Sequence, residues 1–324
     1  MTKRLTSLLA ACAAMALLAQ PQSATAQDKY PDKPIRFVVP FAPGGFADIT
    51  MRIVAEKLND RLGQRVIIDN RPSGGGVAAA QAVATSPADG YTLILLANGT
   101  AISVSLFKQL PFDPVKDFVP ISSFAYFDVL LLVNGASPIK TVADLLAEAK
   151  KQDGKMNIGT INPGSTQNLS AELFKSTAKM PAQIVPFRGS PDIQVALLRN
   201  DITLGFESYA ALKGAIDDKQ IRAIASSGPT RSLPDVPTVQ EAGVPGYEVL
   251  GWNALFAPAG TPPAVVEFLN KEIVAIGNMP DVKAKIKELG GEARPSTPQE
   301  IGDRLKADIA KWAKVIDDAG IEKK

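Results

Sequence analysis

The stretch FVVPFAPGGFADITMRI, residues 37–53, decides the fold that the sequence predicts. An apolar run ends in a turn rich in proline and glycine, and a helical pattern begins directly after that turn. Strand, glycine turn and helix in this order form cradles in which main-chain N–H groups hold an anion at a helix N-terminus. The turn contains no lysine, histidine, cysteine or serine, so it indicates binding through the backbone without side-chain chemistry.

The alternation of apolar runs and helical patterns continues on both sides of this stretch. It predicts one set of strands in the first third of the chain and a second set after Phe127, with helices between the strands. The strand-like segment GWNALFAP near the C-terminus returns the chain to the first set. We expect an α/β fold of two lobes around a cleft, each lobe a mostly parallel sheet flanked by helices. The predicted lobes are residues 27–126 with 253–324, and residues 127–252.

Residues 1–26 have the pattern of a secretory signal peptide. Lys3 and Arg4 precede an apolar stretch that ends at Leu18, and small residues at 24–26 resemble a cleavage site. The apolar run is shorter than the ~20 residues that a membrane span needs. Cys12 lies in a Leu-Ala-Ala-Cys sequence like a lipoprotein box, which leaves a lipid anchor as the alternative, although the apolar stretch continues beyond it. We expect export with cleavage after Ala26.

The composition of the mature chain favours a binding protein over an enzyme. Cleavage leaves 324 − 26 = 298 residues, with 35 − 2 = 33 basic and 33 acidic side chains, and this neutral balance argues against nucleic acid as a partner. The chain has no histidine, and its one cysteine lies in the signal segment. Triads with a histidine base and soft-ligand metal sites are therefore excluded. Carboxylate-only hydrolysis and oxygen-ligand metal sites stay open.

Two nucleotide motifs fail on inspection. Gly74-x-Gly76-x-x-Ala79 matches a relaxed dinucleotide fingerprint, but residues 70–73 lengthen the turn and Asp89 belongs to an Asp-Gly turn instead of a strand end. The chain contains no phosphate-binding G-x-x-x-x-G-K-[ST] segment. We therefore expect no cofactor.

Glycine-rich or small polar turns recur where predicted strands end. Ligands of open parallel sheets bind at such places, where helix N-termini present free N–H groups. Any one of these turns can be a plain connection, and Asp48 can be no more than a favourable charge in a first helical turn. Their recurrence in both predicted lobes favours an anion site. The turns are residues 40–48, 70–76, 97–100, 161–168 and 187–192.

The chain resembles the solute-binding proteins of tripartite tricarboxylate transporters, also called the Bug family. The resemblance is carried by segments spread over the mature chain, among them YPDKPIRFVVPFAPGGFADITMRIVAEKL, GQRVIIDNRPSGGG, PGSTQNLSAELFK, VPFRGS, LPDVPTVQEAGVPGYE and FAPAGTPPAVVEFLN. It implies a monomeric periplasmic binding protein whose two lobes, joined by a hinge, close on a small organic acid, a carboxylate or dicarboxylate. It also implies delivery of that acid to the permease subunits of a membrane transporter.

The resemblance also implies a set of ligand-binding residues. One jaw is formed by Phe41, Ala42, Pro43, Gly44, Gly45 and Asp48 with Ser73, Gly74 and Gly75. The facing jaw is formed by Ser165, Thr166 and Gln167 with Arg188, Gly189 and Ser190. Asn98 and Thr100 from the turn at 97–100, and Glu207, complete the predicted site.

The sequence departs from the family pattern near the expected distal end of the ligand. Family members often carry a histidine at the position of Asn168, and many have an aspartate at the position of Glu207. The resemblance therefore does not supply the identity of the acid.

Two alternatives stay open at this stage. An exported hydrolase or lyase could use carboxylates such as Asp48 and Glu207, which requires the two acids to converge on one point. A binding protein of the same kind could serve a signalling partner instead of a permease.

Overall fold

The computed structural model describes residues 30–318 and 321–323. The predicted signal peptide, its cleavage site at Ala26 and Cys12 lie outside the described residues. Within the described part of the chain, no helix combines the length and the apolar composition that crossing a membrane requires.

The described residues form two sheets with helices between their strands. The strands are β1 (Ile35–Val39), β2 (Val66–Asn70), β3 (Thr92–Ala97), β4 (Phe118–Asp128), β5 (Leu130–Asn134), β6 (Asn157–Ile161), β7 (Gln183–Phe187), β8 (Leu204–Glu207), β9 (Ile221–Ser226), β10 (Leu250–Pro258) and β11 (Gly291–Ala293). The helices are α1 (Phe46–Leu62), α2 (Val77–Ala84), α3 (Asn98–Leu106), α4 (Val142–Gln152), α5 (Thr166–Thr177), α6 (Ser190–Leu198), α7 (Tyr209–Asp217), α8 (Pro263–Gly277), α9 (Pro280–Glu288) and α10 (Pro298–Asp318). The first sheet has the order β11-β4-β10-β3-β1-β2, and the second has the order β7-β6-β8-β5-β9.

The α/β class is confirmed, but the sheets are mixed and not mostly parallel. In the first sheet β1 runs parallel to β2 and β3, whereas β10 is antiparallel to β3 and β4, and β11 is antiparallel to β4. In the second sheet β6 runs parallel to β7 and β8, whereas β5 is antiparallel to β8 and β9. The antiparallel strands include β4, β5, β9 and β10, between which the chain passes from one sheet to the other. Among the described elements, no helix connects β4 to β5 or β9 to β10, and parallel pairing requires a crossover connection of that kind.

Local sequence signals explain where several helices begin and end. Helix α1 stops at Gly63, whose left-handed backbone (φ 63°) lets its N–H bond the Asn59 carbonyl. Thr141 caps α4, because its hydroxyl accepts from the Asp144 amide at 3.1 Å. Thr261 precedes α8 without capping it: the helix begins at Pro263, and the Thr261 hydroxyl donates to the Pro258 carbonyl.

Each sheet has its own apolar core. In the first sheet, fully buried Trp252 and Phe256 of β10 pack in one cluster with Ile94 and Leu96 of β3. In the second sheet, Leu130 and Leu132 of β5 pack with residues of α6 and α7. Burial of this kind contributes about 25 cal/mol per Å² of apolar surface, so each sheet supplies a rigid support for its loops.

The chain crosses between the sheets beside Ser227. Strand β4 leads into β5 at Val129, and the chain returns to the first sheet between β9 and β10. The buried Ser227 joins both crossings: its amide and hydroxyl bond the Val129 carbonyl and amide, each at 2.8 Å, and its carbonyl and hydroxyl bond Val249 at 2.8 and 2.7 Å. One residue therefore links the outgoing and returning segments.

Candidate functional site

Parallel strands bring the loops of the first sheet to one edge. Strands β1, β2 and β3 run in the same direction, so their carboxyl ends lie at the same edge of the sheet. Helix α1 follows β1 through the turn at 40–45, and α3 follows β3 without any intervening residue. The N-termini of two helices therefore meet at this edge.

The second sheet repeats the arrangement. Strands β7, β6 and β8 are neighbours and parallel, and each is followed by a helix. Gln167 in the first turn of α5, Ser190 at the start of α6 and Glu207 at the end of β8 consequently lie side by side. Residues 40 positions apart in sequence meet because their strands end at the same edge.

A cavity lies between these two edges, and four helix N-termini border it. From the first sheet it is lined by Gly45, Phe46 and Ala47 at the start of α1 and by Ala97 directly before α3. From the second sheet it is lined by Thr166 and Gln167 of α5 and by Gly189 and Ser190 of α6. A helix N-terminus carries free N–H groups and about half a positive charge, so this convergence favours a bound anion.

The two edges touch in this conformation. The Gly75 amide of the first edge donates to the Pro163 carbonyl of the second at 2.8 Å. A Cβ atom on Gly99 would lie 2.4 Å from the Gly164 carbonyl oxygen. This distance is shorter than any van der Waals contact, so a side chain cannot be accommodated here without a shift of the backbone. Glycine at position 99 therefore allows the backbone of α3 to pack directly against the loop before α5. The cavity between the edges has a volume of about 30 Å³.

Asp48, behind the first edge, has a complete set of bonding partners. Its buried carboxylate accepts from the Gly44 amide at 3.0 Å, from Asn70 Nδ2 at 3.0 Å and from Arg52, whose Nη2 lies 2.9 Å away. Burial raises the pKa of Asp48, but the hydrogen bonds from Arg52, Gly44 and Asn70 outweigh burial and hold the pKa below its ordinary value. The carboxylate thus fixes the turn at 40–45 from behind.

Glu207, behind the second edge, is fully buried and bonded by neutral donors. Its Oε1 accepts from Gln167 Nε2 at 2.8 Å and from the Ser208 amide at 2.6 Å, and its Oε2 accepts from Ser190 Oγ at 2.7 Å. Burial raises the pKa of Glu207 above its ordinary value, and the hydrogen bonds oppose this shift only in part. Two of its three partners line the cavity, so Glu207 sets the orientation of cavity side chains without lining the cavity itself.

The structure brings some of the predicted site residues to the cavity and leaves others behind it. Those that line the cavity are Phe41, Ala42, Gly45, Thr166, Gln167, Arg188, Gly189 and Ser190. Those that do not are Pro43, Gly44, Asp48, Ser73, Gly74, Gly75, Asn98, Thr100, Ser165 and Glu207. Several in the second group have structural bonds: Ser165 caps α5 through the Asn168 amide, and Asn98 accepts from the Trp312 indole at 3.0 Å.

Sequence reasoning missed residues that line the cavity, namely Phe46, Ala47, Ala97, Phe127, Ile161, Asn162 and Asn253. Phe46 and Phe127 stack with their ring centroids 4.5 Å apart and form an apolar wall. Asn253 was detectable, because a lone amide within the apolar strand β10 is unusual and it is almost fully buried. Phe127 carried no such signal, since its strand β4 was not predicted.

The two carboxylates do not form a catalytic pair. Asp48 and Glu207 share no hydrogen-bond partner in the described part of the chain, and neither lines the cavity. A hydrolase of the carboxylate type needs both acids at the reacting bond. The geometry therefore gives no support to that alternative.

Comparisons with known proteins agree with the geometry. Residues 50–321 match the family model described as the tripartite tricarboxylate transporter family receptor. BugT of Bordetella pertussis is 32% identical over 99% of this chain and 99% of its own length. A protein of R. palustris solved with adipate has a TM-score of 0.87 and 35% identity, and covers 90% of this chain and 99% of that one. MatC of Rhodopseudomonas palustris, solved with malate, has a TM-score of 0.84 and 31% identity, covering 89% of this chain and 100% of that one.

The structural neighbours confirm the two-sheet binding-protein fold, and the family consists of solute-binding proteins and not of enzymes. The family match covers far more than half of the chain. The chain therefore belongs to the tripartite tricarboxylate transporter receptor family of periplasmic solute-binding proteins.

Proposed function

We propose that the protein captures a small organic acid in the cavity and delivers it to the permease subunits of a tripartite transporter. The observation that carries this proposal is the convergence of four helix N-termini on one cavity. Their N–H groups suit a carboxylate, which accepts several hydrogen bonds at once.

The side chains around the cavity suit the two parts of an organic acid. Arg188 lines the cavity and makes no ion pair among the described residues, so its guanidinium can bind a carboxylate in a bidentate manner. The stacked rings of Phe46 and Phe127 offer an apolar surface to a hydrocarbon chain. The acids in the two related structures, adipate and malate, are of this chemical class.

Closure of two lobes follows from the same proposal. The lobes are residues 27–126 with 253–324, and residues 127–252, and the crossings beside Ser227 serve as the hinge. The bond from Gly75 to Pro163 and the contact of Gly99 with Gly164 then belong to the closed state. Export as a monomer, with cleavage after Ala26, completes the proposal.

The proposal is tested by titrating the mature protein, unfolded and refolded to remove any bound ligand, with mono- and dicarboxylates. A ligand at about a hundred times its dissociation constant should add about 2.7 kcal/mol to the free energy of unfolding, which a thermal shift detects. Mass spectrometry of the protein as purified should identify an intact organic acid. If no acid in a broad panel stabilises the refolded protein at millimolar concentration, carboxylate binding is wrong.

Matched arginine variants locate the site. Arg188→Ala should weaken binding of the best acid about tenfold, because an exposed charge-assisted hydrogen bond is lost. Arg71→Ala is the control, since Arg71 pairs with Asp69 at 2.9 Å in a glycine-rich turn and does not line the cavity. Equal affinities in the two variants would contradict a carboxylate at Arg188.

A further inference from the structure

Ser190 has no hydrogen-bond donor left for a ligand. Its hydroxyl carries one proton, and that proton is directed to Glu207 Oε2 at 2.7 Å. Toward the cavity the Ser190 oxygen therefore presents only lone pairs. The hydroxyl also reaches the opposite edge, since a Cβ atom on Gly45 would lie 3.4 Å from Ser190 Oγ.

Gln167 is oriented by the same carboxylate. Its Nε2 donates to Glu207 Oε1 at 2.8 Å, which fixes which end of the amide faces Glu207. The Gln167 and Ser208 N–H groups on Oε1 can only donate, so any proton on Glu207 lies on Oε2, and with Glu207 ionised the Ser190 hydroxyl donates to Oε2. Glu207 thus accepts a hydrogen bond from each of two side chains that line the cavity.

We propose that Glu207 is a positioning residue that selects an acid bearing a hydroxyl group, because it turns Ser190 into a hydrogen-bond acceptor. A hydroxy acid offers its carboxylate to the helix N-termini and its hydroxyl proton to Ser190 Oγ. An unsubstituted acid leaves that oxygen without a donor in a buried place. This inference rests on the proposed function, and the family does not decide it, since adipate has no hydroxyl group and malate has one.

The substitution Glu207→Gln should reverse the polarity of Ser190. Oε1 faces two N–H donors, so the carbonyl oxygen of the new amide must take the place of Oε1. Its NH₂ group then takes the place of Oε2 and donates to Ser190 Oγ. The Ser190 proton is released toward the cavity, where it suits an acceptor on the ligand instead of a donor.

The test measures dissociation constants by calorimetry, at about pH 8, for two pairs of acids that differ by one hydroxyl: succinate with malate, and glutarate with 2-hydroxyglutarate. In the unmodified protein the better-fitting hydroxy acid should bind about fivefold more tightly than its unsubstituted partner. Glu207→Gln should abolish or invert this ratio. Ser190→Ala should also abolish it.

Ser170→Ala serves as the matched control. Ser170 lies on α5 beside the site, its buried hydroxyl has no partner among the described residues, and it does not line the cavity. This variant should keep the ratio of the unmodified protein.

The outcomes separate this inference from the proposed function. Equal binding of both acids in each of the two pairs, or an unchanged ratio in Glu207→Gln, would overturn the role of Glu207 and leave carboxylate binding standing. Failure of these acids and of the wider panel to bind would overturn the proposed function, and the inference with it.

Discussion

The two buried carboxylates beside the cavity have opposite surroundings. Asp48 is bonded by a cation, Arg52, and its pKa lies below the ordinary value despite burial. Glu207 is bonded only by neutral donors, and burial raises its pKa. Asp48 holds a backbone turn in place, whereas Glu207 holds cavity side chains. The first edge is therefore a rigid main-chain cradle for any carboxylate, and the second edge is where one acid is distinguished from another.

Binding between the two edges requires that the edges meet, and Gly99→Ala is expected to prevent this contact. The new methyl group would lie 2.4 Å from the Gly164 carbonyl oxygen, and a backbone atom cannot swing aside. Overpacking of this kind costs about 3 kcal/mol, so affinity for the best acid should fall about a hundredfold or more. Calorimetry measures the loss, and circular dichroism should show an unchanged fold.

Gly74→Ala is the control for that variant, because nothing lies within 4 Å of a Cβ atom at this position. Its affinity should remain within about twofold of the unmodified protein. Tight binding by Gly99→Ala would show that the acid binds without contact between the edges.

A third buried carboxylate, Asp128, lies at the end of β4. Its surroundings shift its pKa in the same direction as that of Glu207. Its Oδ2 has no partner among the described residues, and burial raises its pKa to about 6 while Ser232 opposes the shift. The folded state then binds the proton more tightly than the unfolded chain, whose ordinary value is 3.8. The charge of Asp128 lowers the free energy of unfolding by its full amount above about pH 6. This destabilisation disappears as the pH falls below 3.8.

Asp128→Asn should therefore raise the free energy of unfolding by about 3 kcal/mol at neutral to alkaline pH, which is the difference between the two pKa values expressed as energy. Denaturant titrations at about pH 8 and about pH 4 measure it. The gain should shrink at the lower pH. A variant that is less stable at both values would show that the Asp128 charge has a partner.

Asp48→Asn should have the smallest effect, about 1 kcal/mol of stability, because the Arg52 side chain is half exposed. The folded pKa of Asp48 is lowered, so its contribution is present above the ordinary value of 3.8 and is lost as the pH falls through the folded pKa. The difference from the unmodified protein should be full at neutral pH and vanish in acid. A large loss of affinity with unchanged stability would instead place the ligand on Asp48.

Local patterns predicted much of the fold. The strand, turn and helix predicted from residues 37–53 are present as β1 (Ile35–Val39), the turn at 40–45 and α1 (Phe46–Leu62), because apolar periodicity and turn residues act over a few positions. Strand β4 was missed because Pro120 and two serines interrupt its apolar pattern. The mixed sheets were also missed, since the direction in which distant strands pair leaves no local signal.

The site was predictable to a similar extent. The glycine turns gave the residues at strand ends, including Gln167 and Ser190. Phe127 and Asn253 also line the cavity, but they lie on β4 and β10, next to the points where the chain passes between the sheets. No strand-end turn in the sequence marks them. The different roles of Asp48, which holds a backbone turn, and Glu207, which holds cavity side chains, could not be predicted. They depend on which hydrogen-bond donors the fold brings to each carboxylate.

A crystal structure of the refolded protein with its tightest-binding acid would show directly where the acid lies. We expect a carboxylate of the acid between the two edges, within hydrogen-bonding distance of main-chain N–H groups at the start of α1 and of α5 or α6. Asp48 should lie behind the turn and not contact the acid. An acid bound outside this cavity, or one held by side chains alone with the helix N-termini unoccupied, would contradict this expectation.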